Sequence, residues 1–203
     1  MEQETELIMN RIKELGDYTE SNLILDIGCH AGEFVNLCAK HFGNNANMIA
    51  FEPDINNVQT IINNTTHLTN CTIVPKAIFY SDKKESVVYG TGDGNIGGYM
   101  VSLIEPTHVN TQMFPQLHQY DSKVFELCSL EEFCDGAWLA KLDCEASEWN
   151  IFEHSSVIQN TKHIEVEFHN HTLEYFLEFI AKHLPNHEIV MLLANHCYLT
   201  RKD

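Results

Sequence analysis

Hydrophobic positions along this chain switch between two spacings. Leu7, Ile8, Ile12 and Leu15 recur at helical spacing within Glu6 to Leu15, and the stretch stops at Gly16. This predicts an N-terminal helix within residues 1–20. The apolar run Leu23 to Ile27 predicts a first strand, and Glu33 to Phe42 returns to helical spacing. Met48 to Glu52 predicts a second strand, Pro53 suits a turn or a first helical position, and Ile55 to Asn63 continues as helix. Thr72 to Phe79 reads as a third strand interrupted by Pro75, which places its end at a rim or edge. Further on, Val124 to Cys128 predicts a short strand and Leu130 to Phe133 a turn of helix. Trp138 to Asp143 and His163 to His169 predict two more strands, Thr172 to His183 an amphipathic helix, and Glu188 to Leu193 with Tyr198 to Arg201 a closing hairpin.

One stretch has a different character. Val87 to Asp121 holds Gly90, Gly92, Gly94, Gly97, Gly98, Pro106 and Pro115, with little periodicity beyond a short strand near Tyr99 to Leu103. Long loops in compact domains are commonly functional, so residues 87–121 are a candidate substrate lid. Tyr99, His108, Phe114 and Tyr120 are its candidate acceptor contacts.

Strands alternating with helices imply an α/β fold with a mostly parallel sheet and helices on both faces. The closing hairpin places one antiparallel strand at or near the sheet edge. With 203 residues, 44% of them hydrophobic, the chain suits a single domain over 1–203.

Charge narrows the partners. Twelve Lys and Arg stand against 29 Asp and Glu, a formal net charge of -17. Such a surface repels phosphate backbones and anionic lipid heads, so neither nucleic acid nor a membrane surface is expected as a partner. The seven cysteines form no CxxC pair, the N-terminus lacks a basic and apolar leader, and no apolar run approaches a membrane span. A soluble, cytoplasmic protein is expected.

The chemistry begins where the first strand ends, in Leu25-Asp26-Ile27-Gly28-Cys29-His30-Ala31-Gly32. An acid and two glycines between a strand and a helix form a turn of the kind that meets nucleotide-like ligands. A dinucleotide fingerprint needs a second glycine where this chain has His30, whose β-carbon crowds a pyrophosphate. A P-loop is excluded because no Gly-Lys-Ser/Thr occurs. The second strand again ends in an acid, Glu52, which is suited to accept hydrogen bonds from both ribose hydroxyls. These features favour a nucleoside-type cofactor without phosphates.

Three segments narrow the reading further. Phe51-Glu52-Pro53, Lys141-Leu142-Asp143-Cys144-Glu145-Ala146-Ser147-Glu148 and Glu167-Phe168-His169 occur in that order. They resemble the Phe-Glu-Pro, Lys-Ile-Asp-x-Glu-Gly-x-Glu and Glu-x-His motifs of FkbM-type class I S-adenosylmethionine-dependent methyltransferases, over roughly residues 20–195. The chain departs from that pattern at Cys29-His30, where the family has Ala-Asn, and at Ala146, where it has glycine.

The resemblance implies a Rossmann-like sheet of seven strands in the order 3-2-1-4-5-7-6. It also implies S-adenosylmethionine as cofactor and O-methylation of a hydroxyl on a small molecule or sugar. Asp26, Gly28, His30 and Gly32 would shape the methionine end of the site, and Glu52 would hold the ribose. Pro53, Lys76 and Ala77 would line the adenosine side, with Asp143 at the amino group or reacting centre. For catalysis the candidates are His169, Glu145, Lys141 and Glu167, with His169 preferred as base because imidazole titrates near neutrality. Lys141 and Glu148 could equally form a structural ion pair. A divalent ion on Asp143, Glu145, Glu167 or His169 is motivated only by their clustering, and no metal ligand is assigned. The remaining histidines, among them His163, His187 and His196, are expected on the surface without a role. The rival class is a catalytically silent domain that binds a nucleoside-type ligand or a protein partner.

Overall fold

A computed structural model describes residues 2–90, 99–101, 122–169 and 171–202. The chain opens with α1 (Glu2–Leu15), β1 (Leu23–Ile27), α2 (Glu33–Phe42), β2 (Asn47–Phe51), α3 (Ile55–Asn64) and β3 (Cys71–Val74). Next come β4 (Ala77–Ile78), β5 (Glu85–Gly90), β6 (Tyr99–Val101) and β7 (Ser122–Cys128). After a 3-10 turn at Leu130–Glu132 follow β8 (Leu139–Leu142), α4 (Glu148–His154), α5 (Ser156–Asn160), β9 (His163–Glu167), α6 (Leu173–His183), β10 (His187–Leu193) and β11 (His196–Arg201).

Seven strands form the main sheet in the order β10-β11-β9-β8-β1-β2-β3. The first five in sequence run parallel, and β11 pairs antiparallel with both β9 and β10. Counted within this sheet, the order is the expected 3-2-1-4-5-7-6. Side chains alternate between faces, so Leu25, Ile27, Ala140 and Leu142 enter one core with residues of α4, α5 and α6. Ile24, Met48, Ala50 and Leu139 enter the other with residues of α1, α2 and α3.

The third strand differs from its expectation. Pairing with β2 stops at Val74, and beyond Pro75 the chain enters a second sheet of order β4-β7-β5-β6. Proline has no N–H to continue the ladder, so the chain changes sheets there. Glu85–Gly90 pairs antiparallel with β7, so part of the glycine-rich stretch is strand. Apart from 87–90 and 99–101, the candidate lid lies outside the described residues, as do His108, Phe114 and Tyr120. The region after β8 forms α4 and α5, with Phe152 wholly buried.

No helix among the described residues is long and apolar enough to cross a membrane. All seven cysteines are free.

Candidate functional site

Parallel strands β1, β2, β8 and β9 end on one side of the sheet, and a cavity of about 560 Å³ opens there. The turn after β1 is its tightest part. Gly28 has φ 84, and a β-carbon on it would stand 1.9 Å from the carbonyl oxygen of Asp143. Only glycine lets the ends of β1 and β8 approach this closely. Gly32, at φ 88, caps α2 from behind and shapes the turn without lining the cavity.

The first N–H donors of the turn are engaged within the protein. The N–H groups of Gly28 and Cys29 donate to the carbonyl of Phe51, at 3.0 and 3.1 Å, and the N–H of His30 donates to Glu52 Oε2 at 2.9 Å. A phosphate cradle needs such donors free. These three groups cannot serve a pyrophosphate, which the β-carbon of His30 also crowds. That side chain lines the cavity, is 43% exposed, and sits 3.6 Å from Glu33.

Glu52 is buried at the end of β2. Its Oε1 accepts from the N–H of Asp54 at 2.9 Å and from Asn57 Nδ2 at 3.3 Å. Burial raises its pKa, and the bonds from Asp54, Asn57 and His30 oppose that rise. Two oxygens offer about four acceptor positions, and three are occupied. Asp54 also caps α3 through Asn56, so the acid and the helix start are fixed together. Pro53, Lys76, Ala77, Ile78 and Phe125 continue the wall, the last four brought by the segment that forms the second sheet.

Asp26 stands apart from its expected role. It is 2% exposed, lies outside the cavity lining, and neither of its oxygens has a hydrogen-bond partner among the described residues. It forms a cross-strand row with Lys141 and Glu165, on the face covered by α1. Burial pushes its pKa up to about 7, against the attraction of Lys141. Lys141 Nζ lies 3.7 Å from Asp26 Oδ1 and 3.2 Å from Asp143 Oδ2, and donates to the carbonyl of Gly28 at 3.2 Å. Burial alone would lower its pKa, but Asp143, Asp26 and Glu165 more than offset this and hold it above the usual range. Such an ammonium keeps its proton, and its contacts tie the turn to Asp143. It does not pair with Glu148.

Glu148 belongs to His169. The carboxylate is wholly buried, and its Oε1 accepts from the N–H of Cys144 at 2.9 Å and sits 3.0 Å from His169 Nδ1. The other ring nitrogen, Nε2, faces Glu167 Oε1 at 3.7 Å and Asp143 Oδ1 and Glu145 Oε2 at 3.9 Å each. Burial would lower the pKa of His169, yet Glu148 and then Glu145 and Asp143 lift it to about 9. These neighbours favour the protonated ring, whereas titration near neutrality was expected from the sequence. Burial raises the pKa of Glu145, with His169 opposing.

His196 was not legible as a site residue. It is buried on β11, with Nδ1 3.2 Å from Glu165 Oε1 and Nε2 3.3 Å from Glu167 Oε2. Its register opposite Glu167 creates the contact, and no local signal marks it. His163 and His187 are likewise buried, against the surface expectation. Asn57 had a weak signal, since it follows the capping Asp54 by one helical turn. Thr5 and Glu6 of α1, which also line the cavity, had none.

No protein-family model and no curated protein matches the sequence. Solved structures do match in fold. A candidate RNA methyltransferase from Pyrococcus horikoshii superposes with TM-score 0.57 at 9% identity, covering 99% of this chain and 85% of that one. The N-methyltransferase NodS from Bradyrhizobium japonicum gives 0.52 at 9% identity, covering 100% and 97%. A candidate rRNA methylase from Clostridium thermocellum gives 0.52 at 10% identity, covering 96% and 93%. The fold is that of the Rossmann-like methyltransferases.

Proposed function

We propose that this chain is an S-adenosylmethionine-dependent methyltransferase of the FkbM type, acting on a hydroxyl of a small molecule or sugar. One observation carries the reading. A glycine turn whose Gly28, Cys29 and His30 N–H groups are already engaged and a buried acid on the neighbouring strand open into the same cavity as Asp143, Glu145, Glu167 and His169. The donor set fits the cofactor, because Glu52 retains an acceptor position for the ribose and Pro53, Ala77, Ile78 and Phe125 offer apolar surface for a base. The acidic wall suits a ligand that carries positive charge.

S-adenosylmethionine supplies a methyl group on a sulfonium, whose carbon–sulfur bond breaks as the acceptor oxygen takes the methyl. The protein's own part is alignment and proton removal. Lys141 ties the Gly28 carbonyl to Asp143 and so fixes the ends of β1 and β8. Glu145 and Glu167 present carboxylates at the cavity wall, and Glu145 Oε is the proposed acceptor of the hydroxyl proton. His169, as imidazolium, holds these acids together. The net charge of -17 opposes an RNA acceptor, although two proteins of similar fold carry RNA-methylating names. Seven free cysteines suit a reducing, cytoplasmic setting.

Calorimetry with S-adenosylmethionine tests the cofactor, with Glu52→Ala expected to bind at least tenfold more weakly. A methyl-transfer assay across hydroxylated acceptors, sugars included, tests the reaction. Binding without transfer to any acceptor favours the silent-domain reading. No binding by the wild type rejects the cofactor.

A further inference from the structure

The arrangement around His169 is more ordered than a chance gathering of acids. Its Nε2 makes no short hydrogen bond to any of the three carboxylates it faces, and their distances fall within a narrow band, 3.7 to 3.9 Å. Donor atoms of Asp143, Glu145 and His169 all lie within 4.8 Å of one another. In a triangle with two sides of 3.9 Å and a third no longer than 4.8 Å, the centre is about 2.5 Å or less from each corner. Metal–ligand bonds to oxygen and imidazole have this reach.

The groups behind these donors supply independent support. Ligating imidazoles usually give their second nitrogen to a carboxylate, and ligating carboxylates are themselves hydrogen-bonded. Glu148, wholly buried, turns Oε1 to Nδ1 of His169 and leaves Oε2 without a hydrogen-bond partner among the described residues. That contact leaves Nε2 as the nitrogen facing the cavity acids. Glu167 is fixed from behind by Asn195 Nδ2 at 2.8 Å on Oε1 and by His196 Nε2 at 3.3 Å on Oε2. Four acids, Asp143, Glu145, Glu148 and Glu167, surround this one ring, so a divalent ion that takes the place of the Nε2 proton is electrostatically favoured.

We propose that Asp143, Glu145 and His169 form a divalent-metal site, with Glu148 as a positioning residue and Glu167, held by Asn195 and His196, beside the ring. One imidazole among carboxylates suits Mn2+ or a similar first-row ion better than Ca2+. The ion faces the cavity, where it would take a hydroxyl oxygen of the acceptor and ease loss of its proton to Glu145 or water. That role rests on the proposed methyl transfer, whereas the site rests on geometry alone.

The test uses the full chain stripped with EDTA and titrated with MnCl2, followed by electron paramagnetic resonance. One Mn2+ per chain is expected, with pulsed spectra showing coupling to one imidazole nitrogen. His169→Gln removes that coupling and weakens binding at least tenfold, and Glu145→Gln weakens it at least tenfold. Circular dichroism establishes that each variant folds. Should His169→Gln fail to fold, the wild-type nitrogen coupling and Glu145→Gln decide the matter. Absence of nitrogen coupling, or affinity indifferent to Glu145→Gln, overturns the site, because the ion would then rest on the acidic surface. Calorimetry with S-adenosylmethionine on the same sample keeps the two readings apart. Cofactor binding without Mn2+ overturns the metal site alone, and Mn2+ binding without cofactor overturns the methyltransferase reading alone.

Discussion

At the Gly28–Glu52 end of the cavity, backbone groups hold the polar atoms, whereas at the Asp143–His169 end side chains face side chains. Glu52 is met by two backbone N–H groups and an amide, and Gly28 is locked by its approach to Asp143. His169, by contrast, is held by carboxylates drawn from the loop after β8, from α4 and from β9. Backbone-built sites tolerate little change in shape. Side-chain cages tolerate reshaping but respond to pH and ions.

The largest expected effect breaks the rigid end. Gly28→Ala places a methyl group against the Asp143 carbonyl in a left-handed backbone, and should cost about 3 kcal/mol or more in urea unfolding. A small loss would mean that β1 and β8 can separate and that this end is no more rigid than the other. At the other end, the signature is pH. His169 has a folded pKa near 9, above its unfolded value, so its stabilisation is fully present below about pH 6.5 and disappears as pH rises through 9. The loss is on the order of 3 kcal/mol, and His169→Gln should flatten the profile over that window. A wild-type profile already flat from pH 6.5 to 9 removes the imidazolium.

A smaller effect concerns the loop between the two ends. Glu145 and Ala146 are consecutive non-glycine residues at φ 52 and 79. Left-handed backbone costs an L-residue roughly 1–2 kcal/mol, so Ala146→Gly should stabilise the protein by about 1 kcal/mol in thermal or urea unfolding. The position where the chain departs from the family motif is thus one where its backbone is strained. Destabilisation by that change would show that the alanine is accommodated.

Much of the cavity was legible because its markers are local. Gly28, Glu52 and Asp143 sit just beyond the ends of apolar runs, and parallel strands bring such ends to one rim, whereas Asp26 turned out to face the core covered by α1. The placement of Glu145, Glu167 and His169 around one cavity followed from the same rule. Their roles did not. Lys141 was weighed as catalytic or as a partner of Glu148, yet cross-strand register gives it to Asp26 and Asp143. His169 was expected near neutrality, and its neighbours move it to about 9.

The sequence by itself determined the succession of strands and helices and the rim where chemistry is possible, since apolar periodicity and turn residues act over a few positions, while the strand order came from the family resemblance. It also argued against a pyrophosphate, through the residue at position 30. Only the tertiary structure decided which charges meet. His196 reaches Glu167 through antiparallel register, Glu148 reaches His169 from a helix, and Phe125 enters the wall from a second sheet. Coulombic and coordination chemistry depend on distances of a few ångströms between residues far apart in the chain. Packing of the whole fold sets those distances, and no local pattern encodes them.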